Sequence, residues 1–97
     1  MILALLLLAN AIPTDGARTR VEGAPRKIAA FIERRAYCNH FLGEEPYDEA
    51  RAAELEKAIR ELRCKQIDRD ERNLSRAYRN RPEIMRLLAE TADAPGW

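Results

Sequence analysis

Residues 38–64 read CNHFLGEEPYDEARAAELEKAIRELRC, and whatever joins the two ends of this stretch decides the fold. It opens and closes with the only two cysteines of the 97-residue chain and contains its only histidine, His40. Three chemistries compete for these residues. As a metal site, Cys38, His40 and Cys64 would need Glu44 or Asp48 as a fourth ligand, and the second short-spaced ligand pair of a structural zinc site is missing. As a catalytic thiol, Cys38 has its only histidine two residues away, where the side chains diverge on a helix and no third group orients the ring. The third reading is a disulfide, which fits a small chain in an oxidising compartment.

Geometry restricts the disulfide further, because bonded cysteines bring their α-carbons to about 4.4–6.8 Å. If the first helix ran to Leu42 and turned tightly at Gly43, Cys64 would end roughly 24 Å from the bend at 1.5 Å per residue. The bond therefore predicts a helix that stops near Cys38 and an extended strap over 39–47, able to span roughly 30 Å. Phe41, Leu42 and Tyr47 would pin the strap, with Gly43 and Pro46 as its non-helical residues. A cross-link closing a loop of this size contributes about 3–4 kcal/mol.

Working outward, Pro25 stands at a helix start, followed at helical spacing by Ile28, Phe31, Ile32, Arg35 and Cys38. After the strap, Asp48 is a good N-cap for a helix with the stripe Leu55, Ile59 and Leu62, filled in by Ala52 and Ala58. Ile67, Leu74 and Tyr78 form a further stripe out of phase with that one, so a break is expected around 65–68, with Asp68 capping the next helix. Arg81 precedes proline and is biased away from helical angles, ending that helix near Asn80. Pro82 then opens a short last helix with Ile84, Leu87 and Leu88 inside. Strand-like alternation is absent throughout the sequence. The predicted fold is all-α: a small bundle of three to four helices over 25–92, an extended strap and a disulfide.

The ends read differently. Ten of the first eleven residues are apolar, and Ala9-Asn10-Ala11 gives the small-x-small pattern of signal cleavage. The run is too short to span a bilayer, which takes about 20 residues. Residues 1–11 are thus expected to be a signal peptide, and the protein periplasmic or secreted; membrane contact is expected only through this segment if it stays uncleaved. Residues 12–24 read as a flexible lead-in and 93–97 as a frayed tail. Without the first eleven residues, 35 of 86 are apolar and 13 of those are alanine, a core small enough to want a staple or a partner.

Net charge is +1, and its sign alternates along the chain, from +3 over 12–42 through −2, +2 and −2 in the following segments. This is the pattern of solvated helix faces and argues against nucleic acid as a partner. No residue set reads as catalytic, and no cofactor is implied. Two surfaces stand out as contact sites for an envelope component or protein. One is the acidic strap Glu44, Glu45, Tyr47 and Asp48; the other is Arg69, Arg72, Arg76 and Arg79, spaced by three and four on one helix face. Asp68, Asp70 and Glu71 are interleaved with those arginines, so internal salt bridging competes with partner binding.

The pattern C-x-H-F-x-G-E-E-P-Y-D at Cys38–Asp48, then R-C at Arg63–Cys64 and I-D-x-D-E-x-x-L-x-x-x-Y at Ile67–Tyr78, resembles small two-cysteine exported helical proteins of Gram-negative bacteria. It covers roughly residues 37–80 and implies export and a helical fold without an activity. Glu71, Leu74 and Tyr78 are also similar to a helix of secreted lysozyme-inhibitor-like domains, which implies inhibition of a cell-wall hydrolase. The expectation is a non-catalytic binding module of the bacterial envelope. Its alternatives are a metal-binding module on Cys38, His40 and Cys64, and a subunit that completes its core with a partner.

Overall fold

The computed structural model describes residues 13–96, with side chains from residue 17 onward. The expected signal peptide lies outside the described residues. Among the described residues five α-helices follow one another: α1 (Pro13–Glu22), α2 (Arg26–Gly43), α3 (Glu49–Glu61), α4 (Ile67–Ala77) and α5 (Pro82–Glu90), with a 3₁₀ turn at Cys64–Gln66 between α3 and α4. There is no strand among the described residues. The all-α expectation holds.

α2 is the central element. Its inner face buries Ile28, Phe31, Ile32, Arg35, Ala36 and Cys38, the stripe legible in the sequence. Pro25 is its N-cap rather than its first helical residue, and the Pro25 carbonyl accepts from the amides of Ile28 and Ala29. Ile28, Phe31 and Ile32 meet Val21 of α1 and Ile84, Leu87 and Leu88 of α5 in one cluster, with Ile67, Leu74 and Tyr78 packed at its side. Each large side chain buried there contributes about 1.5–3 kcal/mol.

The lead-in expectation is corrected: residues 13–22 form α1. Pro13 opens it, where the missing N–H is no loss, and Ala17 and Val21, four apart, are its buried residues. Two small or medium apolar residues make too short a stripe to show as a period. Arg20 of α1 pairs with Glu90 of α5, tying the two helices across the cluster.

The strap is also corrected. α2 continues through Asn39, His40, Phe41 and Leu42 to Gly43, so the extended connection is residues 44–48 rather than 39–47. The stop comes from Pro46, which has no N–H to continue the ladder and forces Glu45 out of helical angles. Gly43 is simply helical. The disulfide nevertheless forms, because the chain does not turn tightly after Gly43. Glu44 and Asp48 have extended backbone, and five such residues reach about 17 Å. That is close to the difference between the short arm of α2 beyond Cys38 and the longer return along α3.

α3 starts as expected at Asp48, whose Oδ1 accepts from the Arg51 amide at 2.7 Å. The break before α4 is real. Leu62 caps α3, Arg63 adopts a left-handed conformation (φ 53°, ψ 49°), and the 3₁₀ turn leads into α4. Gln66, not Asp68, is the α4 N-cap; Asp68 and Asp70 lie in the first turn, where carboxylates suit the helix dipole. α5 begins at Pro82 and buries Ile84, Leu87 and Leu88.

The frayed-tail expectation fails for residues 93–96. Asn39 Nδ2 donates to the carbonyls of Ala92 and Ala94, both at 2.9 Å. Gly96 takes φ +91°, open to glycine at little cost, and lies back against α2 beside Ala36, Tyr37 and His40.

Candidate functional site

Cys38 and Cys64 are bonded, with α-carbons 5.6 Å apart and both side chains buried. The thiolate-ligated metal set of Cys38, His40 and Cys64 is therefore unavailable. His40 points outward with its ring edge-on to Phe41 at 5.2 Å, and no group of three metal-ligating side chains occurs among the described residues. The bond joins α2 to the 3₁₀ turn and so fixes the far end of α3, whose start is held by the Asp48 cap and the Glu44–Arg51 pair. That matters because α3 buries only Leu55 and supplies nothing to the central cluster.

The strap presents itself differently from its expected form. Tyr47 is 82% exposed and Leu42 61%, so neither pins it. Ionic contacts do that work: Arg51 Nε and Nη2 grip Glu44 bidentately at 2.5 and 2.7 Å, while Arg51 Nη1 reaches Glu54 at 2.9 Å. The Arg51 hydrogen bond holds the Glu44 carboxyl below its usual range, and Arg51 is raised in turn. Of the four strap residues singled out in the sequence, Glu44 and Asp48 are thus engaged internally, leaving Glu45 and Tyr47 for contact.

α4 sorts its charges by face. Asp70 turns toward α2 and binds Arg34 at 2.6 Å, which lowers its pKa. Glu71 pairs with Arg35 at 3.4 Å. Arg69 remains on its own helix, contacting Gln66 at 3.1 Å and Asp70 at 3.5 Å. Arg72, Arg76 and Arg79 are exposed, and none makes an ion pair or side-chain hydrogen bond among the described residues. The interleaved carboxylates only partly offset the stripe: Asp70 and Glu71 are drawn into the fold, while Asp68 and Glu71 share a surface groove with Arg72 and Arg76. Arg79 stands in the turn after α4 rather than on the helix, which ends at Ala77.

Compared with protein families, curated proteins and solved structures, the chain has no match. Function must be read from the chain itself. Glu71, Leu74 and Tyr78, the residues similar to inhibitor domains, face inward: one onto Arg35, two against the core cluster.

Two residues escaped functional notice in the sequence. Arg35 was legible only as a position on the inner stripe, yet its guanidinium is buried beneath the end of α5. A charge in an otherwise apolar stripe was the available signal. Arg63 carried none, since nothing in the order Leu62-Arg63-Cys64 marks a left-handed residue. Holding a non-glycine residue there costs about 1 kcal/mol relative to glycine.

The depressed carboxyls make an acid-stability test. Glu44 and Asp70 both titrate below their ordinary values in the folded state. Their contribution is complete above the unfolded-chain carboxylate range, near pH 4, and is lost as pH falls through the lower folded-state values. Melting temperature is therefore expected to drop below about pH 4. Glu44→Gln and Asp70→Asn should each flatten that drop while lowering stability at neutral pH. An unchanged acid limb in both variants would show that these pairs do not set it.

Proposed function

We propose that this chain is an exported, disulfide-stapled, non-catalytic binding module of the bacterial envelope that docks an acidic partner on the outer face of α4. One observation carries the reading: Arg72, Arg76 and Arg79 are exposed and make no ion pair among the described residues, while Asp70 and Glu71 are bound to α2 and Asp68 and Glu71 are the carboxylates that line a groove with Arg72 and Arg76. Three arginines free of ion pairs within about two turns raise the local potential and favour a negatively charged patch or chain. The non-catalytic part is supported by the state of the carboxylates. A general acid or base needs a pKa raised toward working pH, whereas Glu44 and Asp70 are shifted the other way. Export is supported by the buried disulfide, which suits an oxidising periplasmic or secreted location. No described helix is long and apolar enough to cross a membrane.

The experiment has two arms. Intact-mass spectrometry of envelope fractions, with alkylation before and after reduction, should give a mature chain starting at Ile12 whose thiols react only after reduction. Crosslinking in the same fractions should trap a partner on the wild type that is lost with Arg72→Glu, Arg76→Glu and Arg79→Glu combined. The triple variant should melt within a few degrees of wild type, because surface substitutions of this kind usually change stability by about 0.5 kcal/mol or less. A reactive, unprocessed chain would refute export, and undiminished crosslinking of the triple variant would refute the α4 face.

A further inference from the structure

We infer that the groove beside the disulfide is a binding site for a small anionic amphiphile, a phosphate-type head on an apolar chain. The groove encloses about 490 Å³ between the end of α3 and the 3₁₀ turn. Pockets that hold small molecules run from roughly 300 to 1,000 Å³. Its lining is of two kinds. Ile59 and Cys64 supply an apolar side anchored by the cross-link, and Arg60, Arg63 and Lys65 supply a cationic rim. Glu56 is the single acidic residue there, so the groove carries a net +2 on a chain whose total is +1. All three cations are exposed and make no ion pair among the described residues, although many other cations of the fold are paired.

Arg63 is the centre of the site. It is the only non-glycine residue with positive φ among the described residues, at the position after a helix cap where glycine is the favoured choice. Its side chain makes no contact that would explain holding an arginine there. It also borders a second groove of about 470 Å³, lined by Phe31 and Leu74 and by the polar Lys27, Arg34, Asp70 and Asn73. The left-handed turn ends α3 and leads to Cys64, a task glycine performs without strain, and strained residues cluster at ligand sites. A guanidinium at the rim of the first groove suits a phosphate head with its chain lying along Ile59 and Cys64. The site uses none of the α4 arginines, so it stands or falls apart from the acidic-partner reading.

The test is calorimetric titration of the folded, disulfide-bonded protein with decyl phosphate below its micelle concentration. Inorganic phosphate and decyltrimethylammonium serve as the head-only and opposite-charge probes. Saturable one-to-one binding of decyl phosphate is expected, with inorganic phosphate at least tenfold weaker and no binding of the cationic amphiphile. Arg63→Gly should raise the melting temperature by about 5 °C as the strain is relieved, yet weaken decyl phosphate roughly tenfold. Arg63→Lys should keep most of the affinity. Equal binding of the cationic amphiphile would overturn the proposal as mere hydrophobic uptake, and equal binding of inorganic phosphate would remove its apolar part. An Arg63→Gly protein that binds like wild type, or melts lower, would overturn the role of Arg63.

Discussion

Replacing both cysteines, as Cys38→Ala with Cys64→Ala, is expected to cost about 3.5 kcal/mol and to lower the melting temperature by ~20 °C. The two cysteines are 26 residues apart in sequence, and the energy is the loop-closure entropy that the bond removes from the unfolded chain. The loss should not be spread evenly over the molecule. α3 contributes one buried side chain, Leu55, and no member of the central cluster, whereas α1, α2 and α5 meet one another through seven buried residues. Without the bond, α3 keeps its Asp48 cap and the Glu44–Arg51 clamp at its start but has little at its far end. Hydrogen exchange should therefore show residues 49–66 opening first, at a free energy well below the global value, while α2 and α5 remain protected. Circular dichroism on heating then gives a broadened transition. A variant that melts within 5 °C of wild type, with α3 amides as slow as those of α2, would show that packing alone holds α3.

The same staple marks how far the sequence could be read. The four helices from α2 to α5, the break between α3 and α4, and the two-proline punctuation all followed from spacing and from Pro25, Asp48 and Pro82. The disulfide was inferred from compartment and reach, and the bond is present. The strap begins five residues later than expected because the disulfide does not require a helix that stops near Cys38; a short extended run after Gly43 gives the same reach. A glycine inside a helix lowers propensity but does not end it; the proline three residues later does. α1 was missed for a different reason. Among its described side chains only Ala17 and Val21 are buried, and it is stabilised by neighbours distant in sequence, as in the Arg20–Glu90 pair. The tail was missed in the same way, since Asn39 gives no sign of the two carbonyls it holds. The arginine stripe was visible as a pattern, but whether it was neutralised depended on which way Asp70 and Glu71 faced. That is a property of the packing of α4 on α2, not of the segment.

Arg35→Ala is expected to cost about 3 kcal/mol, a loss close to that of the disulfide from a single side chain. Arg35 is 3% exposed, and burial lowers its pKa against the opposing pull of Glu71. What it touches explains why a charge sits in the core. Nη2 donates to the Leu88 carbonyl at 2.6 Å and to Thr91 Oγ1 at 3.0 Å, and the Thr91 hydroxyl donates to the Leu87 carbonyl at 2.7 Å. Leu87 and Leu88 lie in the last turn of α5; the Leu87 carbonyl also accepts from the Thr91 amide at 3.1 Å, whereas the Leu88 carbonyl has Arg35 in place of an amide partner. Arg35 closes that end from another element, 53 residues away in sequence. Its charge opposes the negative end of the α5 dipole, and its guanidinium carbon lies 5.1 Å from the Phe31 ring centroid. Truncation to alanine leaves the Leu88 carbonyl unpaired and a void beside Phe31. Arg35→Met tests the two contributions separately, since it fills the volume without donating. If the hydrogen bonds dominate, Arg35→Met should lose most of what Arg35→Ala loses, and Thr91→Val should lose about 1 kcal/mol through the same carbonyls. If Arg35→Met instead matches or exceeds wild-type stability, the buried charge is a net burden that apolar packing replaces, as happens with some buried ion pairs. Chemical denaturation of the three variants decides between these, and nuclear magnetic resonance of the Leu87 to Ala92 amides would report whether the end of α5 loosens along with the loss.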